Sequence, residues 1–203
     1  MRLINTFALI ALISLSSPVA GQSFSDGLDA LRSGDYDTGA EIMEKFANQG
    51  NPSAQHNMSV LYYQGNGVPK NLSMSAGWAR LAAEQGYASS QVLLGIKYED
   101  GNGLIQNYSK ARKWYRLAAE QGNPKGQAYL AGMYFLGIGV SRNPALAYTL
   151  SSLAAAQGDD YASDLRDKAL KQLSTQQTAE AQRLASQWQS GDPLPEPRDF
   201  TAR

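Results

Sequence analysis

A spacing of 36 residues governs this chain. Gln-Gly preceded by alanine recurs at Ala47–Gly50, Ala83–Gly86, Ala119–Gly122 and Ala155–Gly158, with no insertion between copies. Four further registers keep step: Tyr62, Tyr98 and Tyr134; Gly65/Gly67, Gly101/Gly103 and Gly137/Gly139; Gln55, Gln91 and Gln127; and Asp35, Asn71, Asn107 and Asn143. A chain that repeats at this interval builds one small unit several times. It must stack the copies, because a single unit cannot bury its own apolar face.

The unit at 124–159 shows what is repeated. Pro124 suits a first helical turn, where its missing N–H is harmless. Leu130, Met133 and Tyr134 then fall on a helical stripe. Gly137 and Gly139 stop that helix and permit left-handed backbone. Asn143-Pro144 is an N-cap followed by a first-turn proline. A second helix carries Ala147, Leu150 and Ala154 on one face, and Gly158 stops it. Small residues hold fixed registers: Ser59, Gly95 and Ala131 in the first helix; Gly39, Ser75, Ala111 and Ala147 in the second. They allow helix backbones to approach, while Trp78, Trp114, Leu150 and the three tyrosines fill the space around them.

This pattern strongly resembles the SEL-one-like repeat (SLR) family, relatives of tetratricopeptide repeats. The matching residues are Leu94-Gly95, Tyr98, Gly101, Gly103, Lys110-Ala111, Trp114-Tyr115 and Ala118–Gly122. The 36-residue period and the Gly-x-Gly turn favour this type over the 34-residue tetratricopeptide type. The resemblance implies an all-α fold, a right-handed α/α superhelix of helix-turn-helix repeats. The expected organisation is a degenerate N-terminal repeat at 22–51, repeats at 52–87, 88–123 and 124–159, a helical cap at 160–190, and a flexible tail at 191–203. The cap rests on Ser174 and Gln177, which are spaced as a capping box. The tail rests on Pro193, Pro195 and Pro197. Capped ends predict a monomer.

The first 21 residues have the plan of a secretory signal peptide. Arg2 precedes the apolar stretch Phe7–Leu15, Pro18 breaks it, and Val19-Ala20-Gly21 offers small residues for cleavage. The apolar stretch is short for a span, and no later one is long enough, so no membrane span is expected in the mature chain. A periplasmic or secreted location follows. The chain has no cysteine, so disulfides and thiolate chemistry are excluded. Its 18 basic and 18 acidic residues cancel, leaving no field to attract nucleic acid.

No catalytic constellation stands out. His56 is the only histidine, and metal sites need several ligands. The Gly-Asn-Gly at 65–67 and 101–103 lacks the ending of a phosphate loop and recurs as a turn. Glu99 and Asp100 are sequence neighbours and do not face each other on a helix. The chain is therefore expected to be a binding protein, not an enzyme, with no cofactor and with a protein or peptide as partner.

By analogy with tetratricopeptide-like solenoids, the first helix of each pair lines a concave surface. Positions beside the packing stripe there are Ser53, His56, Val60, Tyr63 and Gln64; Ser89, Val92, Ile96, Glu99 and Asp100; and Lys125, Ala128, Gly132, Phe135 and Leu136. They vary between repeats while the packing registers do not. His56, Val60, Tyr63, Gln64, Val92, Ile96, Glu99, Asp100, Lys125 and Phe135 are the candidate ligand contacts, with Tyr63 and Phe135 as aromatic anchors. Val92, Ile96 and Phe135 equally fit a core role. Two alternatives remain open at this stage. One is an enzyme acting on cell-wall material or β-lactams, which cysteine-rich members of the resembled family suggest. The other is a structural protein that assembles end to end.

Overall fold

The computed structural model describes residues 21–200, so the expected leader lies outside the described residues except for Gly21. Among the described residues there are ten α-helices and no strand. They are α1 (Phe24–Ser33), α2 (Tyr36–Asn48), α3 (Pro52–Gln64), α4 (Leu72–Glu84), α5 (Ala88–Asp100), α6 (Tyr108–Glu120), α7 (Pro124–Leu136), α8 (Pro144–Ala155), α9 (Asp160–Leu170) and α10 (Thr175–Gln187). A short 3-10 turn follows at Pro197–Phe200. Each helix packs on the one before it from α1 to α9, and α10 returns onto α8. The first helices of successive units also touch, α5 against α7 and α7 against α9. The result is an α-solenoid in two layers, with α3, α5, α7 and α9 forming one of them.

Local chemistry accounts for each helix end. Asp35, Asn71, Asn107 and Asn143 accept the N–H of the third residue of α2, α4, α6 and α8. Asn51, Asn123 and Asp159 do the same for α3, α7 and α9. Each such cap is worth about 1 kcal/mol. The odd one out is α5, whose N-cap is Tyr87 and carries no side-chain hydrogen bond. Gly65, Gly101 and Gly137 end α3, α5 and α7 at positive φ. The second glycine of each turn is needed for closeness as well. A Cβ on Gly103 would lie 2.0 Å from the carbonyl oxygen of Leu72 in the preceding unit.

The two glutamine registers form a ladder through the stack. Gln91 Nε2 donates to the carbonyl of Ala83 at 3.3 Å, and Gln121 Nε2 donates to Gln91 Oε1 at 2.7 Å. Gln55 and Gln85, then Gln127 and Gln157, repeat the arrangement. Each pair joins the two helices of one unit, and its first-helix glutamine reaches back to a carbonyl at the end of the preceding unit, satisfying amides that burial would otherwise leave costly.

The segment expected as a flexible tail, 191–203, makes contacts with the stack over its described part, up to Phe200. Gly191 N–H and Ser190 Oγ donate to the carbonyls of Glu120 and Gln121, the open end of α6. Leu194 is buried, and Arg116 pairs with Glu196 at 2.6 Å. The physical reason is the unpaired carbonyls at a helix C-terminus, which need donors from elsewhere.

Candidate functional site

Apart from the registers of Gln55 and Tyr62, no position of α3, α5 and α7 holds the same residue in all three. Polar side chains meet between α3 and α5. His56 Nδ1 shares a hydrogen bond with Ser90 Oγ at 2.8 Å, and its ring lies 5.4 Å from that of Tyr87. Burial pushes the imidazole pKa below its ordinary value, favouring the neutral form. Lys97 takes the register of Leu61 and Met133 and is just 1% exposed. Its ammonium donates to Ser75 Oγ at 2.6 Å and sits 4.8 Å from the Tyr63 ring centre. Burial without a carboxylate pushes Lys97 down to about 8.

A second cluster spans α5 to α9. Tyr115, on α6, stands where Ala79 and Ser151 stand in neighbouring units. Its hydroxyl donates to Glu99 Oε2 at 2.7 Å, and its ring stacks on Tyr129 of α7 with centroids 5.1 Å apart. Gly95 makes room for that ring: a Cβ there would lie 2.4 Å from Tyr115 Cε1. At this position the small residue admits a ring, where the small-residue pattern suggested closer backbones. Tyr161 of α9 brings its hydroxyl over Gly132, and a Cβ on Gly132 would be 2.9 Å from it. Burial first, then Glu99, raises the Tyr115, Tyr129 and Tyr161 hydroxyl pKa values, so all three stay protonated donors at neutral pH.

The candidate contacts divide between these surroundings. Tyr63, Gln64, Asp100 and Lys125 are exposed, and His56, Val60, Ile96, Glu99 and Phe135 are half-buried. Val92 is 5% exposed and part of the core, so it is withdrawn as a ligand contact. Phe135 is corrected as an anchor. Its ring packs on the core and lies beneath the Arg142 guanidinium, 5.7 Å from the ring centre. The Arg142 side chain also donates to the Phe135 carbonyl. The open rings of this layer are Tyr63, Tyr129 and Tyr161, at 43%, 38% and 52% exposure. Sequence reasoning missed Tyr129, Lys97 and Tyr115 as site residues and assigned Tyr161 to the cap. A signal existed: each of the first three breaks a register that is apolar or small in a neighbouring unit.

Together these features define a class: an α-solenoid of two-helix repeats. The Sel1 repeat family profile matches residues 19–51, 52–87, 88–123 and 124–159. The chain belongs to the Sel1 repeat family, whose members are generally protein-interaction scaffolds and typically non-catalytic. A solved Sel1 repeat protein from Oxalobacter formigenes is 35% identical with a TM-score of 0.65, over 69% of this chain and 58% of that one. The chain thus spans little more than half of that neighbour's length. A protective antigen of uropathogenic Escherichia coli strains displaying an SLR fold is 29% identical, with a TM-score of 0.48, over 80% of this chain and 44% of the other. No curated protein matches the chain. No helix among the described residues is long and apolar enough to cross a membrane.

Proposed function

We propose that the chain is an exported, non-catalytic scaffold that binds a protein or peptide through the concave layer of first helices. The observation that carries this is the set of exposed rings on that layer, Tyr63, Tyr129 and Tyr161. Large rings are costly to leave in water and are the side chains most often found as interface anchors. Export is supported by the leader-like first 21 residues, which precede a compact repeat stack. Helix α10 lies over α8 at the end of the stack, which supports a monomer.

Photo-crosslinking in living cells from position 63 tests the binding surface. A discrete adduct with a second protein is expected, and Tyr63→Ala with Tyr129→Ala should abolish function in the same cells. No adduct, together with unchanged cells, would sink the proposal. Mass spectrometry of the envelope fraction tests export, with a mature N-terminus near Gln22 expected. A full-length chain confined to the cytosol would refute it.

A further inference from the structure

We propose that the face formed by Tyr129 and Tyr161, with Glu99 at its edge and the Tyr115 ring buried behind it, docks an arginine- or lysine-bearing segment of a partner protein. This rests on the first-helix layer being the binding face.

The geometry is that of an aromatic wall with a carboxylate at its edge. The buried Tyr115 ring backs Tyr129, nearly parallel to it with 12° between their planes. Gly132 makes room on α7 where the matching positions in the preceding units are Val60 and Ile96. That space is taken by the Tyr161 hydroxyl, so the Tyr161 ring leans on α7 close to Tyr129 and Glu99.

Charge decides what fits there. Tyr115 uses one oxygen of Glu99 as an acceptor. Among the described residues no lysine or arginine pairs with Glu99 or with Asp100. Glu99, Asp100 and Asp159 all act on the Tyr129 hydroxyl in the same sense, as negative neighbours do. Lys168 opposes them at Tyr161, but its ammonium is held by Asp164. An anionic segment would be repelled. A purely apolar one would cover Glu99 without a counter-ion, which is costly. A guanidinium or ammonium instead lies over a tyrosine face and reaches the free carboxylate oxygen with a charge-assisted hydrogen bond.

The test is a titration of the isotope-labelled full chain followed by amide NMR shifts. The probe is an N-acetylated, C-amidated Gly-Ser-Arg-Gly-Arg-Ser-Gly peptide. Two controls replace its arginines with citrulline or with glutamate. The arginine peptide should move amides of α7 and α9 and bind at least about tenfold tighter than either control. Raising the salt concentration should weaken it. Glu99→Gln and Tyr161→Ala should each weaken binding by roughly 5- to 20-fold, whereas Tyr161→Phe should retain it. Tyr161 is half exposed, so its variants keep the fold, and thermal melts verify this. Equal binding of the citrulline peptide, shifts confined to the second-helix layer, or no shifts at all would each overturn the proposal. A partner crosslinked at position 63 alongside any of those results would leave the scaffold intact and remove the basic-segment subsite alone.

Discussion

Lys97 shows what a single departure from the repeat does. A lysine in a register otherwise held by Leu61 and Met133 buries an ammonium with one hydroxyl as hydrogen-bond partner. Lys97→Met should therefore raise stability at pH 7, by about 1–3 kcal/mol. The sign with pH follows from the lowered pKa. Between about 8 in the folded chain and the ordinary 10.5, the unfolded chain binds more protons. The cost of Lys97 is thus complete below about pH 8 and fades as pH rises toward 10.5. Urea denaturation of both proteins at pH 7 and pH 9.5 should show the gap shrinking, and a constant gap would count against a buried charge. Gly95 is the opposite kind of position, chosen for what it lacks. Gly95→Ala would drive a methyl into the buried Tyr115 ring, so a loss of about 1–3 kcal/mol is expected. Tyrosine ultraviolet absorbance should also shift as the ring leaves Glu99.

At the scale of elements, the segment after α10 matters more than its composition suggests. It supplies donors to the open C-terminus of α6 and buries Leu194 against the main core. Leu194→Ala should cost about 2–4 kcal/mol in chemical denaturation, like a core leucine, although it lies in a proline-flanked stretch. A change under about 0.5 kcal/mol, typical of surface positions, would mean the segment is not held in solution. Helix α5 is set apart from its counterparts too. It begins at Tyr87 without the cap bond that Asn51 and Asn123 provide, and that ring packs beside His56 instead.

For the whole molecule, the apolar core is not continuous. One cluster runs from Ala79 through α5–α8 to Leu194, and another gathers Ala40, Met43, Met58 and their neighbours. The polar contacts of His56, Ser90, Lys97 and Ser75 lie where the two parts of the stack meet. Trp78 Nε1, packed on the N-terminal cluster, is buried without an acceptor. Stability in repeat stacks is a sum of units and interfaces, so a weak interface lets one side open first. Native-state hydrogen exchange should find α1–α3 opening at lower free energy than α5–α8. Lys97→Met should bring the two closer. Uniform protection in both proteins would contradict a divided core.

The sequence by itself determined the helix pairs, their stops and caps, and the family, because those depend on local chemistry repeated in phase. Asn143-Pro144 and Gly137 specify a start and a stop whatever surrounds them. The candidate site was legible only in part. Tyr63 and Glu99 lie at least partly open to solvent, as expected, because a helix register predicts which face a side chain takes. Phe135 shares the register of Tyr63, and Val92 that of His56, and both still turned out packed, since burial depends on what the next unit places opposite. Tyr115 reaches Glu99 because Gly95 leaves space across the helix pair, and Tyr161 meets Gly132 only once α9 is stacked on α7. The tail docked because α6 offered carbonyls that only the assembled stack brings within its reach. Tertiary structure decided these points because each depends on two residues far apart in sequence, and periodicity describes one strand of that pairing at a time.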